Sequence, residues 1–401
     1  MVGGLARSLG KRAFVVCGSR TLERNGALGE IVQSLRAAGV DTVPVETISR
    51  EPLVEDVDRS VSFLRENFAG AGDLLVAIGG GSAIDLAKAA GALVTQDART
   101  SVLDYLEGVG KGFRIENPPL PVLAMPTTGG TGSEATKNAV ISSFDPPFKK
   151  SLRSELMVPR IVLVDPELTV SVPPQITAWT GMDAITQLIE SYISRRATEA
   201  TDDIATQGMR LAFPNIGDAC RNGASRTARE GMAQAALLSG IALANSGLGM
   251  AHGVAAALGV HCHVPHGLAC AVMLPTAIHV NCRDKAVQQR FGLASLHYSV
   301  LGTEELPPDS AEVEKLGRQF KRGRASAEEY AQAIWRERAQ ELASRVSTLV
   351  DDLNIPRRLS EIGVKREQIP AIVSDSRGNS MSANPRDISD DELTKILEEM
   401  L

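Results

Sequence analysis

Two histidines fourteen residues apart, His252 in Gly-Met-Ala-His-Gly and His266 in Val-Pro-His-Gly, share this chain of 401 residues with Asp183, about seventy residues upstream. Imidazole nitrogens and one carboxylate make a mixed donor set suited to zinc or ferrous iron. Three protein ligands leave a coordination position open, as catalytic sites do. Spacing alone does not choose the pair. Four of the six histidines (252, 261, 263 and 266) fall within fifteen residues, and His261-Cys262-His263 is itself a chelating arrangement. Asp183 and Gln187 lie four apart in a helical stretch, so they share a face and can point at one ion. A lone helical aspartate is more often a cap or ion-pair partner, and a lone histidine a satisfied polar residue. The clustering is what favours a site.

A second set of residues suits phosphate. Asp73-Leu-Leu-Val-Ala-Ile-Gly79-Gly80-Gly81-Ser82-Ala-Ile-Asp85-Leu-Ala-Lys88 reads as strand, glycine turn and helix start. Residues without Cβ let backbone N–H groups approach a pyrophosphate, and a helix N-terminus adds partial positive charge. The pattern is not the Rossmann GxGxxG. Pro126-Thr127-Thr128-Gly129-Gly130-Thr131-Gly132-Ser133-Glu134-Ala135-Thr136 is a second small, hydroxyl-rich turn after a strand. Either turn alone is compatible with ordinary loop chemistry. Two on consecutive parallel strands point to a ligand, because ligands gather at the carboxyl ends of strands in open α/β sheets.

The elements that must position these residues follow from periodicity. Apolar runs at 13–17, 40–45, 73–78, 121–125 and 161–164 read as buried strands, and 27–38, 54–67 and 82–94 as intervening helices. Continuous apolar strands alternating with helices predict a parallel sheet covered on both faces. After Pro173-Pro174 the pattern turns helical, at 177–195, 199–213, 225–245, 250–259 and 267–281 and in amphipathic segments to Leu401. The expected organisation is an α/β domain over 1–172 and an all-α domain over 173–401. The charged stretch 303–341 reads as a solvated helix face and loop.

Composition narrows the functional classes. A formal charge of −6 offers no basic footprint for nucleic acid. No apolar stretch approaches the roughly 18 residues needed to span a membrane. Five cysteines (17, 220, 262, 270 and 282) without CxxC spacing read as reduced thiols, and with no signal-peptide pattern the expected location is the cytoplasm.

Taken together and in order, these stretches resemble the iron-containing (group III) alcohol dehydrogenase family. The resemblance is carried by GGGSAIDLAKA at 79–89, PTTGGTGSEAT at 126–136, VDPEL at 164–168, GMDAI at 181–185, AHG at 251–253, PHG at 265–267 and NPR at 384–386, and it covers nearly the whole chain. It implies the dehydroquinate synthase-like architecture of an α/β nucleotide-binding domain and a helical domain, with the active site in the cleft between them. By position it implies Asp183, His252 and His266 as metal ligands and catalytic residues, with Fe2+ or Zn2+ bound. It also implies Gly79, Gly80, Gly81, Ser82, Asp85, Thr127, Thr128, Ser133, Lys149 and Leu168 as dinucleotide contacts. His261 and His263 are then not ligands, and His279 and His297 remain ordinary polar residues.

Three positions depart from the family pattern. Gln187 stands where a fourth, histidine ligand is usual, and an amide is a poorer donor than imidazole. Ala256 stands where many members carry a histidine assigned to proton relay, leaving water, the cofactor ribose or His263 as routes. Cys17-Gly18-Ser19-Arg20 lacks the aspartate found in NAD-preferring relatives, while Ser19 and Arg20 are placed to meet a 2′-phosphate, so NADP(H) is expected over NAD(H). The expected reaction is hydride transfer between nicotinamide and a small aldehyde or ketone, in a possible homo-oligomer. A second reading is a reductase of an anionic aldehyde, phosphonate- or carboxylate-bearing, drawing charge from Lys149, Lys150 and Arg153. A third is a nucleotide-binding member that has lost catalysis.

Overall fold

The structure, a computed structural model, describes residues 1–299 and 311–401, without the side chains of 297–299 and 312. Part of the charged stretch at 303–341, and the side chain of His297, therefore lie outside the described residues. The elements run α1 (Val2–Leu9), β1 (Arg12–Cys17), α2 (Thr21–Arg24), α3 (Ala27–Ala37), β2 (Asp41–Thr47), α4 (Val54–Glu66), β3 (Asp73–Gly79), α5 (Gly81–Leu93), β4 (Val122–Pro126), β5 (Asn138–Phe144), β6 (Pro147–Arg153) and β7 (Ile161–Val162). Helices follow: α6 (Pro174–Ile193), α7 (Glu199–Arg221), α8 (Arg226–Ser246), α9 (Met250–Cys262), α10 (His266–Asn281), α11 (Lys285–Ser299), α12 (Ala311–Lys321), α13 (Ala327–Asp352), α14 (Ile369–Asp375), α15 (Asn379–Ser382) and α16 (Asp390–Glu399).

The expected parallel sheet is present, in the order β2-β1-β3-β4-β7 with every pairing parallel. Both faces are covered, and the side chains divide between them with the two-residue period of a strand. Phe14, Val16, Leu75 and Ala77 join one core with Val57, Val61 and Leu64 of α4 and Ile84 and Leu86 of α5. Ala13, Val15, Leu74, Val76 and Ile78 join the other with Val2 and Ala6 of α1 and Ile31 and Leu35 of α3. Each fully buried leucine or isoleucine contributes about 1.5–3 kcal/mol, so this double-sided burial holds the carboxyl ends of β1, β3 and β4 in fixed register.

Two features differ from the sequence expectation. Residues 138–153 form an antiparallel hairpin, β5–β6, outside the parallel sheet. Their alternating burial belongs to a half-covered ribbon and not to a continuous apolar run. The chain also divides unevenly with respect to sequence: one compact unit comprises Met1–Thr177 with Asn222–Ala244, and the other Ala178–Arg221 with Asn245–Leu401. Most of α8 therefore belongs with the sheet, not with the helices around it in sequence. The physical reason is contact within the first unit. Gly132 and Gly240 meet backbone to backbone, and the buried Arg229 donates to the carbonyls of Val172 and Gly223 and to the Thr177 hydroxyl. The chain beyond Thr177, α8 included, is helical in every regular element described, as expected. No single helix among the described residues is long and apolar enough to cross a membrane.

Candidate metal centre and nucleotide loops

Asp183 lies on α6, His252 in the first turn of α9 and His266 at the start of α10, and the second unit brings the three together. Oδ1 of Asp183 is 3.1 Å from Nε2 of His252 and 4.0 Å from Nε2 of His266. The His252 and His266 rings meet edge to face with centroids 5.5 Å apart. Gly267, directly after His266, is what lets α10 come this close to α6: a Cβ there would stand 2.5 Å from the Trp179 carbonyl oxygen. A side chain at that position would push His266 away from Asp183.

Two residues of the cluster escaped the sequence reading. Glu190, seven residues after Asp183 on the same face of α6, accepts from the backbone N–H groups of Gly249, Ala251 and His252 at the N-terminus of α9. Its Oε2 also lies 2.7 Å from Nδ1 of His252. It therefore caps the helix that carries His252 and orients the imidazole in one contact set. Cys270, one turn after His266, lies with its Sγ 3.7 Å from Nε2 of His266. The donor atoms of Asp183, His252, His266 and Cys270 all fall within 4.8 Å of one another. Helical spacing from Asp183 and from His266 is the signal that would have found both.

The donor set fits a divalent cation. Nδ1 of His252 donates to Glu190 and Nε2 lies within hydrogen-bond distance of Asp183 Oδ1, so a divalent cation would take the place of the proton held between that imidazole and the carboxylate. The same geometry shapes the charges. Burial opposes ionisation of Asp183, yet the His252 hydrogen bond, the two imidazoles and Gln187 hold its carboxyl below the ordinary range. Burial likewise opposes charge on His252, but Cys270, Asp183 and Glu190 hold the imidazole well above its usual value. Gln187 donates its side-chain N–H to Oδ1 of Asp183 at 3.1 Å, so it braces the carboxylate and turns its amide hydrogens, not its oxygen, to that atom. His261 instead pairs with Asp375 at 2.7 Å, and His263 is the exposed, left-handed cap of α9.

In the first unit the two small-residue turns lie together. Gly18, just after β1, and Gly79, the last residue of β3, approach so closely that a Cβ on Gly18 would stand 2.7 Å from the Gly79 Cα. A Cβ on Gly81 would meet Oγ1 of Thr131 at 2.8 Å and Oγ of Ser133 at 3.0 Å, and one on Gly80 would meet Oγ1 of Thr128 at 3.2 Å. The Thr127 N–H donates to the Gly79 carbonyl, joining the turns. Helix α5 begins here with no acidic residue in its first turn, and Ser82 is half-buried beside Gly81. These turns offer backbone N–H groups and hydroxyls to an anion. Ser19 accepts from the Thr21 N–H, and Arg20 is exposed.

Three of the expected dinucleotide contacts have partners within the fold. Asp85 is buried, accepting from the Val140 N–H and pairing with the fully buried Lys88, so its carboxylate ties α5 to β5. Lys149 is ion-paired with Glu51, and Arg153 with Glu107. The Leu168 side chain is buried in the core that contains Leu22 and Cys17. In each case a nearer partner, carboxylate or apolar core, satisfies the side chain.

A parallel sheet with glycine turns at its strand ends, and a helical unit with a His/His/Asp cluster, are the marks of a protein built to hold an anionic ligand such as a nucleotide and a divalent metal. The chain belongs to the iron-containing alcohol dehydrogenase family: the family description "Iron-containing alcohol dehydrogenase" matches residues 1–166 and "Fe-containing alcohol dehydrogenase family, C-terminal" matches 177–401. Among relatives, long-chain-alcohol dehydrogenase 1 of Geobacillus thermodenitrificans is 36% identical over 67% of this chain and 66% of that protein. Sulfoacetaldehyde reductase of Bilophila wadsworthia is 31% identical over 97% of this chain and 91% of that one. A crystal structure of a 1,3-propanediol oxidoreductase superposes with a TM-score of 0.85 at 28% identity, covering 100% of this chain and 95% of that one. The protein is accordingly an alcohol/aldehyde oxidoreductase of a family that uses NAD and a metal.

Proposed function

We propose that the protein reduces a small aldehyde or ketone reversibly, with Asp183, His252 and His266 as the metal-holding residues. The carrying observation is the convergence of these three donors, with Glu190 fixing His252. Bound NAD(P)H would supply the hydride for the carbonyl carbon, and a proton delivered to the oxygen would complete the alcohol. A divalent cation held by these residues would polarise the carbonyl and stabilise the developing alkoxide. Glu190, accepting from Nδ1 of His252, would leave Nε2 to face such a cation, and Asp183 would supply balancing charge. His266, with its side chain 29% exposed, is the most solvent-accessible of the three donors. Ala256 supplies no imidazole, so water or a ribose hydroxyl carries the proton. The test is NAD(P)H oxidation over a panel of short aldehydes by wild type and Asp183→Asn. Turnover undiminished in the variant would remove the metal role.

NADPH is the proposed cofactor. Its support is the stretch 17–20, which has no carboxylate and carries the exposed Arg20 in the turn that follows β1. Arg20→Asp is expected to move the kcat/KM ratio toward NADH, and an unchanged ratio overturns the assignment. The five free cysteines support a reducing, cytosolic setting.

A second reading is favoured by one observation, the near-full-length similarity to a sulfoacetaldehyde reductase. Its substrate would be an anionic aldehyde. Equal efficiency with neutral and anionic aldehydes of the same length sinks it.

A further inference from the structure

We propose that Cys270 is a fourth metal ligand, a thiolate that completes the donor set at a centre where Gln187 does not. The inference rests on the metal reading above and goes beyond it in naming a sulfur donor.

The argument is geometric. Cys270 is fully buried, four residues after His266 on α10, so the helix delivers both side chains to one side. Its Sγ belongs to the four-atom cluster whose members lie within 4.8 Å of one another. Gln187 lies on α6 beside Asp183, but the N–H it directs to Oδ1 is a donor and cannot ligate. The sulfur thus restores a fourth donor from a different helix.

The step involves no oxidation. The Cys270 S–H bond breaks, a sulfur–metal bond forms, and the proton passes to buffer. A thiolate shifts the site toward softer, borderline metals, so zinc is favoured over ferrous iron relative to an all-nitrogen and oxygen set.

The test uses the full-length protein, stripped with a chelator and reloaded with Co2+ alone. Wild type should bind one equivalent and show both the visible bands of the ion and a near-ultraviolet sulfur-to-cobalt charge-transfer band. Cys270→Ala should lose the charge-transfer band, with its circular dichroism unchanged as the check on folding. Stoichiometric cobalt with visible bands but no sulfur band in wild type overturns Cys270 ligation and leaves the metal reading standing. So does a sulfur band that survives in Cys270→Ala, since it must come from another thiol. Failure of wild type to bind cobalt or zinc overturns both. Should the variant not fold, X-ray absorption on the zinc-loaded wild type decides the matter: a sulfur scatterer at about 2.3 Å supports the ligand, and a nitrogen/oxygen-only shell overturns it.

Discussion

Oε2 of Glu190 stands 2.7 Å from Nδ1 of His252, while the same carboxylate accepts from three backbone N–H groups at the start of α9. One buried side chain therefore sets both where His252 is and which nitrogen it shows to Asp183. Glu190→Gln keeps an acceptor for the helix but loses the charge-assisted contact. It is expected to weaken zinc or cobalt binding about 10–100-fold, as loss of such partners does, read by competition with a chromophoric chelator. Affinity within twofold of wild type would show that the tautomer is fixed by something else.

Asn384, in the NPR stretch, is buried and fully engaged. Its Oδ1 accepts from the Met250 N–H and from Asn281, and its Nδ2 donates to Asn281 and to the Arg386 carbonyl. Asn384→Ala strands a buried N–H at the first residue of α9 and a buried amide at Asn281. Urea unfolding should show a loss of about 2–4 kcal/mol. A loss under about 0.5 kcal/mol would mean that water replaces the amide without cost.

Gly81 tests the nucleotide turn independently of the metal. A Cβ there would collide with the Thr131 and Ser133 hydroxyls, whose displacement opens the join between the two turns. Gly81→Ala is expected to raise the nucleotide KM at least about tenfold, equivalent to about 1.4 kcal/mol, with cobalt binding unchanged. Equal loss of both would indicate general unfolding instead.

Glu134 provides a pH dependence. Burial pushes its carboxyl up to about 7 from an ordinary value near 4.5. The folded state then holds a proton that the unfolded state releases between these values, so stability falls as pH rises through that window. Glu134→Gln, uncharged throughout, should match wild type near pH 4 and exceed it at pH 8, by at most about 3 kcal/mol. Tm measured at the two pH values checks this; a variant less stable at pH 8 reverses the sign.

Much of the fold was legible because burial leaves a periodic trace. The strands β1, β3 and β4, and helices such as α3, α4 and α5, fall within a residue or two of the runs read from sequence. The β5–β6 hairpin was not legible, since its half-covered strands lack a continuous apolar run. The grouping of α8 with the sheet was also hidden: it depends on the meeting of Gly132 with Gly240, over a hundred residues apart.

At the candidate site, the sequence by itself determined the donor types, the two glycine turns and, through motif order, the choice of His252 and His266 over His261 and His263. Side-chain chemistry is local and survives in the order of residues. Only the tertiary structure decided which groups meet. It turned Asp85 inward to Lys88, paired Lys149 with Glu51, set Gln187 as a brace, and brought Glu190 and Cys270 to the histidines. Helical spacing places Glu190 on the face of Asp183 and Cys270 on that of His266, but which side chains meet across helices, and which buried partner wins, depends on helix crossings that the order of residues does not state.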